Sequence, residues 1–488
     1  MSSKYYITTT LPYVNARPHI GFALEIIQAD VLARWQRLRG AEVFFNTGAD
    51  EHGAKIFEKA KELGKTPQEY CDESARPFLA IKEKLNLSFD NFIRTTDVRH
   101  IKAAQVFWKR CDANGDIYKK TYKAKYCVGC ELEITDSQLK DGKCPIHPNK
   151  EIEIIEEENY FFRFSRYQKP LLDFYEANPD FVAPDVRFNE IKSFVSGGLR
   201  DFSISRQKEK MPWGIAVPGD ESQVMYVWFD ALVNYISCLG WPNDEKKFEE
   251  FWGTKDCPNA IQVAGKDNLR QQSAMWQAML MSAGLPNSKQ IFIHGFITSN
   301  GRKMSKSLGN VIDPVDLVDK YGADATRYFL LREIPADEDG DFSYQKFEER
   351  YNSDLAKGLG NFASRVATIA KKIGAATNKE FANNELKDAV DGACSDCDKF
   401  LRQYKFNEAL AAVWKLVNLG DKYIELTQPW KTKDAVAVGD LLLMLSEIAK
   451  LAEPFIPQTA QKIKDMLLGE EIGILFPKIE YTLNKNGK

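Results

Sequence analysis

The sequence predicts a doubly wound parallel α/β sheet, interrupted by an insertion and followed by a helical bundle. Three observations predict it. Apolar strand-like runs alternate with helical stretches from the N-terminus to residue 115. That rhythm stops over 116–224 and resumes over 225–296. From residue 350 to 488 the apolar residues recur at helical spacing. At 488 residues the chain is too long for one ordinary core.

The elements follow in order. "KYYITTT" is rich in Tyr, Ile and Thr and reads as a strand. After a Pro-containing loop, Ile20, Leu24, Ile27, Val31, Trp35 and Leu38 recur at helical spacing. "AEVFFNTGADEHG" is a second strand running into a polar Gly loop, and a helix rich in Lys and Glu follows. The 116–224 interval holds short β-like pieces, a Cys cluster, and "EIEIIEEENYFFRF", which alternates like an edge strand. "VMYVWFDALVNYI", "AIQVAGKDN" and "QIFIHGFIT" resume the α/β pattern. Residues 297–349 then carry a basic Gly/Ser loop, and 350–488 read as a bundle. Ligands of such sheets sit at the carboxyl ends of the strands.

Composition is that of a globular protein, 44% hydrophobic and 28% charged. The net charge of −3 neither supports nor excludes nucleic acid, since binding depends on local patches. No apolar run is long enough to span a membrane, and "MSSKYYITTT" lacks the pattern of a secretory signal. A cytoplasmic location is expected. There, the nine cysteines read as thiols or metal ligands rather than disulfides.

Three motifs carry chemistry. Cys127-x2-Cys130, thirteen residues, then Cys144-x2-His147 offers four soft ligands, a closed set suited to one structural zinc. The alternative is unpaired thiols on a loop. Cys394 and Cys397 form a lone CxxC in a helical context and read as ordinary helix residues. In "SNGRKMSKSLGN", Lys303 and Lys306 sit on a Gly/Ser loop that could close over a polyphosphate, or could equally be a solvated basic loop. In "HIGF", Gly21 would let a ligand approach the backbone, and a helix start offers N–H groups to phosphate. His19 could donate to it, or could simply cap the helix. The chain has no GxGxxG there, so this is not a dinucleotide fingerprint.

"HIGF" followed by "KMSKS", on an interrupted parallel α/β domain, resembles the two signatures of the class I aminoacyl-tRNA synthetases. "LPYVN", "FFNTGADEHG", "CVGC…CPIH", "YVWFDALVNYI", "AGKDN", "HGFIT", "KMSKSLGNVIDP", "GNFASR" and "QPW" extend the resemblance to the methionyl-tRNA synthetases, over nearly the whole chain. It implies a Rossmann-like catalytic domain in two halves, 1–115 and 225–296. A zinc-knuckle connective domain would fill 116–224, a KMSKS and stem-contact region 297–349, and an anticodon-binding bundle 350–488.

The resemblance also implies a reaction. ATP would activate methionine to methionyl-adenylate, and the adenylate would be passed to the 3′-terminal adenosine of tRNA(Met), initiator or elongator. By similarity Leu11, Tyr13, Asp50, Trp228, Ala231, Tyr235, Gln272 and Trp276 would hold methionine, with Asp50 on the α-ammonium. Aromatic walls suit a thioether, though Trp228 or Trp276 taken singly would also fit a plain core. His19, Gly21, Gly265, Asp267, His294, Gly295, Lys303 and Lys306 would hold ATP and its magnesium, with His19, Lys303 and Lys306 catalytic. Asn361 and Arg365, on one helix face, and Trp430 would read the anticodon. For these three the alternatives are a solvated face and a bundle core.

Three positions depart from the family pattern. Phe22 replaces a second His and would remove a donor from the phosphate site; Gln272 stands in place of a His; Ala49 stands in place of a Thr. A ligase for another apolar amino acid and a non-catalytic paralogue that binds tRNA or adenylate are the competing readings. With no added C-terminal domain of the kind some relatives carry, a monomer is expected.

Overall fold

The computed structural model describes residues 3–129, 132–134, 139–304, 309–470 and 473–480. Six parallel strands form the central sheet: β1 (Lys4–Thr9), β2 (Glu42–Ala49), β3 (Asn91–Arg94), β4 (Val182–Ala183), β5 (Ala260–Gly265) and β6 (Gln290–His294). Their order across the sheet is β3-β2-β1-β5-β6-β4. The sheet is covered on both faces, which is why β5 reads as an almost unbroken apolar run and is buried throughout. The winding reverses between β1 and β5, which pair from Tyr6 with Ala260 to Thr9 with Val263. A crevice therefore opens at their carboxyl ends.

Helix α1 (Ile20–Leu38) starts in that crevice. It is buried on nearly every side, so its apolar periodicity does not reveal which face meets a ligand. Helix α2 (Val98–Ala113) lies after β3. The 116–224 interval contains a long antiparallel ribbon of Ile117–Cys127 against Ile152–Phe162. Among the described residues, the Ile152–Phe162 strand finds a second strand partner only at its end, where Phe161 and Phe162 pair with Ser203 and Phe202. The interval also supplies β4 to the parallel sheet, so that sheet draws one strand from within the range that the sequence assigns to an insertion.

"VMYVWFDALVNYI" is not one strand. A strand over Asp220–Met225 gives way to a short helix, α3 (Val227–Ala231), and a further turn over Asn234–Ser237. Trp228, Ala231 and Tyr235 are spaced at i, i+3 and i+7, so these turns put them on one side.

The C-terminal half is helical, with α4 (Ala323–Glu333), α5 (Asn361–Ile373), α6 (Phe406–Thr427) and the short α7 (Pro429–Thr432) among its elements. It is not a separate ball. One continuous apolar cluster runs from Tyr5 and Ile7 of β1 through α1 and α4 to Leu445 and Phe476. Among the described residues, no helix is long and apolar enough to cross a membrane.

Candidate active site

A cavity of about 270 Å³ opens beside the crevice. It is lined by Leu11, Tyr13, Asp50, Lys55, Trp228, Ala231, Asn234, Tyr235 and Gln272, among others. Two chain segments after β1 and β2 make its floor. Tyr13 and Asp50 bridge as parallel backbones, with Asp50 N–H donating to Pro12 O at 3.0 Å and Val14 N–H to Asp50 O at 3.2 Å. A buried carboxylate, Asp50, thus sits beside an aromatic ring in a hollow lined by both apolar and polar side chains. That arrangement suits a small molecule with one ammonium group and an apolar tail.

The two walls are tied together below the surface by Asp230. Its carboxylate takes His52 Nδ1 at 2.6 Å and His100 Nε2 at 2.7 Å. His52 lies two residues after Asp50, and Asp230 lies between Trp228 and Ala231. Burial alone would raise the Asp230 pKa, but the two imidazoles hold it below its ordinary value.

Gln272 does not stand alone on the cavity wall. Its Nε2 donates to Tyr235 Oη at 2.7 Å, and its Oε1 accepts from Gln262 Nε2 at 3.0 Å. Trp276 behaves differently from the other seven residues expected to hold an amino acid. It is fully buried and does not line the cavity; it meets Tyr235 edge-on, with centroids 6.0 Å apart, and supports that ring from behind.

The phosphate side begins at His19, the N-cap of α1. Its Nδ1 accepts from Gly21 N–H at 3.1 Å and Phe22 N–H at 3.3 Å. An acceptor Nδ1 puts the ring proton on Nε2, which is then a donor. Desolvation lowers the His19 pKa from its ordinary value, against Asp267 and Glu25, so the ring is neutral at pH 7. A Cβ on residue 21 would sit 3.0 Å from the His19 ring. A side chain at residue 21 would thus crowd the capping ring, whatever ligand approaches. Phe22, by contrast, packs edge-on against Phe78 at 5.3 Å and is 8% exposed. Its ring lies in the core, and position 22 offers no side-chain donor to the crevice.

At the neighbouring strand ends, Gly265 pairs with His294 across β5 and β6. His294 faces acceptors on both nitrogens, Gly295 O at 2.7 Å and Glu25 at 3.0 Å. Burial alone would lower its pKa; Glu25 and the Gly295 carbonyl reverse this, and the pKa is raised. Glu25 also takes Thr10 N–H at 2.8 Å and Thr10 Oγ1 at 2.6 Å, so α1, β6 and the chain after β1 meet at one carboxylate. Gly295 is dictated by packing: a Cβ there would sit 1.9 Å from Glu338 O. Asp267 is exposed at the mouth of this crevice. The backbone of Lys303 lies in the strand Arg302–Lys303, paired with Thr298. The Lys303 side chain and Lys306 lie outside the described residues.

In the ribbon region, Cys127, Cys144 and His147 bring their ligand atoms within 4.8 Å of one another. Cys130 lies outside the described residues. A Cβ on Gly129 would strike the His147 ring at 2.4 Å, so the loop closes on the ring only with glycine there. Gly129 O also accepts from Lys55 Nζ at 2.8 Å, and Lys55 lines the cavity. At the helical end, α5 and α7 pack together. Asn361 is exposed, Trp430 is half-buried, and Arg365 pairs with Asp421 at 2.8 Å and Glu425 at 2.5 Å.

The comparisons agree with this geometry. The family described as "tRNA synthetases class I (M)" matches residues 5–153 and 137–367, and "Anticodon-binding domain of tRNA ligase" matches 384–486. A methionine–tRNA ligase of Brucella melitensis is 43% identical over 478 residues, 95% of this chain and 92% of that one. The chain belongs to the methionyl-tRNA synthetases of class I. A methionine–tRNA ligase of Thermosynechococcus vestitus is also 43% identical, over 96% of this chain and 90% of its own. The solved Mycobacterium tuberculosis methionyl-tRNA synthetase in complex with methionyl-adenylate superposes with a TM-score of 0.89 at 39% identity, covering 95% of this chain and 93% of that one. Within this family frame, residue types and spacing missed several site members: Lys55, Glu25 and the Asp230 triad. Lys55 was hidden in a helix rich in Lys and Glu, and Glu25 in the buried stripe of α1.

Proposed function

We propose that the chain is an ATP-dependent methionine–tRNA ligase. The observation that carries this reading is the juxtaposition at the sheet's switch point. A cavity with one carboxylate and aromatic walls opens beside a helix start whose cap presents an imidazole N–H. Methionine binds with its α-ammonium on Asp50 and its thioether among Tyr13, Trp228 and Tyr235. ATP lies across the ends of β1, β5 and β6, with its ribose near Gly265 and Asp267 and its adenine near His294 and Gly295. The methionine carboxylate attacks the α-phosphorus, and pyrophosphate leaves. No group need take a proton in this step, so the protein's work is positioning and charge stabilisation. His19 Nε2–H, Lys303 and Lys306 supply that stabilisation, and magnesium accompanies the ATP. A hydroxyl of the terminal ribose of tRNA(Met) then attacks the methionyl carbonyl; the acyl–phosphate bond breaks, and the ester forms as AMP and the hydroxyl proton leave.

Asn361, Arg365 and Trp430 meet the anticodon. The position of Trp430 on α7, packed against α5, supports this reading. Cys127, Cys130, Cys144 and His147 hold one structural zinc; the convergence of the three described ligands supports it. With this reading go a monomer, a cytoplasmic location, and both initiator and elongator tRNA as partners. The test is tRNA charging by purified protein with methionine, isoleucine, valine and cysteine, alongside elemental analysis. Methionine alone is charged, with one zinc per chain. Equal or better charging of another amino acid would reject the substrate assignment, and absence of zinc would reject the metal assignment.

A further inference from the structure

The Asp50 carboxylate can meet an ammonium group in one fixed place only if the chain around it is held still. On one side the holding is done by the segment after β1, through the backbone bonds of Asp50 to Pro12 and Val14. Glu51 N–H donates to Thr95 Oγ1 at 2.9 Å. The next two peptide groups are gripped by one residue of the inserted interval, Trp213. Its indole Nε1–H donates to Glu51 O at 2.6 Å, and its own carbonyl accepts Gly53 N–H at 3.2 Å. The Trp213 ring also meets His52 edge-on, with centroids 5.5 Å apart. Trp213 therefore straddles His52 and bonds the chain on both sides of it. Gly53 has φ of 116°, which L side chains rarely adopt, so a glycine is needed to turn that N–H toward the tryptophan. Cys71 Sγ also approaches Glu51 O, at 3.4 Å, but a thiol is the weaker donor.

The position of Trp213 in the fold gives this grip a purpose. It lies in the connection between Ser205–Gln207 and Ala216–Val217, and both of these strands pair with Asp220–Met225. Asp220–Met225 leads into α3, which carries Trp228 and Ala231. The small sheet thus belongs to one wall of the cavity, and its tryptophan holds the other. Trp213 is half-buried and does not itself line the cavity. We infer that Trp213 is a positioning residue that fixes the peptide groups following Asp50 and so holds the Asp50 carboxylate where the α-ammonium of the amino acid meets it. The inference rests on the proposed amino-acid site. Without the indole N–H, the Glu51 carbonyl is left with the Cys71 thiol, and the chain after Asp50 gains freedom. The loss falls on the ammonium end of the amino acid, because the thioether and ATP are held by other segments.

The test is inhibition of methionine-dependent ATP–pyrophosphate exchange on the full chain by two truncated methionines. Methioninol keeps the ammonium group and lacks the carboxylate; methylthiobutanoate keeps the carboxylate and lacks the ammonium group. Trp213→Phe removes the N–H and keeps an apolar ring. In this variant the KM for methionine and the KI for methioninol rise about fivefold to tenfold, the size of one neutral hydrogen bond. The KI for methylthiobutanoate and the KM for ATP stay within about twofold. A purely structural role would raise all four. An unchanged KI for methioninol, or an equal rise for methylthiobutanoate, overturns the inference. Asp50→Asn, measured in parallel, separates this result from the site assignment. If Asp50→Asn raises the KI for methioninol and Trp213→Phe does not, the role of Trp213 falls and the site survives. If Asp50→Asn leaves that KI unchanged, the site assignment falls and the inference with it. Should Trp213→Phe not fold, benzothienylalanine placed at position 213, with sulfur in place of the N–H and the same shape, decides the matter.

Discussion

His19 performs two tasks with two atoms. Nδ1 caps α1, which leaves Nε2–H as a donor. Asparagine offers a capping oxygen of similar reach but removes the ring donor. His19→Asn is therefore expected to keep stability within about 0.5 kcal/mol, whereas His19→Ala loses about 1 kcal/mol. Both are expected to slow adenylate formation by about 10²–10³-fold, the cost of one transition-state donor. Chemical denaturation and single-turnover kinetics check this. Full activity in His19→Asn would reduce the residue to a cap. The pH sign follows from its lowered pKa. The unfolded ring binds a proton more readily, so the cap's contribution is complete above about pH 6.5. It is lost as pH falls through the lower folded value.

Residue identity was legible here, but direction was not. Seven residues expected to hold methionine do line one cavity, because they follow strand ends or share one side of a helical turn. For Phe22 and Trp276 the direction is not legible, because α1 and the helix that begins at Trp276 are buried on nearly every side. Pattern alone does not say which buried side faces a ligand.

At the scale of elements, the loop after β2 and helix α3 are separate pieces of chain that must stay in register to form one cavity. Asp230 joins them through His52, and His100 fixes it to α2. Nothing in the local sequence of "VWFDAL" signals this, since the partners lie 178 and 130 positions away. Asp230→Asn can accept from one imidazole but presents an N–H to the other. The expected result is a loss of about 3 kcal/mol. The KM for methionine rises about tenfold while the KM for ATP stays within about twofold. Equal changes in both would mean that the triad supports the whole domain rather than the amino-acid side. Because the Asp230 pKa is held low, its contribution is complete above about pH 4 and is lost as pH falls through the lower folded value.

Across the whole molecule, the helical half is built onto the elements that carry the residues proposed to hold ATP. Arg327 of α4 is fully buried and pairs with Asp30 of α1 at 2.8 Å. Its guanidinium also donates to Phe455 O and Pro454 O at 2.8 Å and to Leu85 O at 3.2 Å. Tyr404 stacks on Phe292 of β6 with centroids 4.3 Å apart. The sequence showed a change from α/β to helical pattern at 350 but not that the two share a core, because a helix's apolar stripe does not name its partner. The shared cluster predicts one cooperative transition in calorimetry. Arg327→Met leaves the buried Asp30 with Arg34 and the Ser88 N–H and Oγ donors but without its buried guanidinium, and is expected to cost about 3 kcal/mol. Two well-separated transitions in the wild type would contradict a shared core.

The central claim is that the cavity at the switch point holds methionine by its ammonium while His19 and the crevice hold ATP. The most direct measurement is methionine-dependent ATP–pyrophosphate exchange by wild type and Asp50→Asn. The wild type is expected to exchange with methionine, and Asp50→Asn to lose about 10²–10³-fold in kcat/KM for methionine, as removal of one partner from a buried charged pair costs several kcal/mol. Its unfolding midpoint is expected to stay close to that of the wild type. Undiminished exchange by Asp50→Asn, or no methionine-dependent exchange by the wild type, would contradict the account.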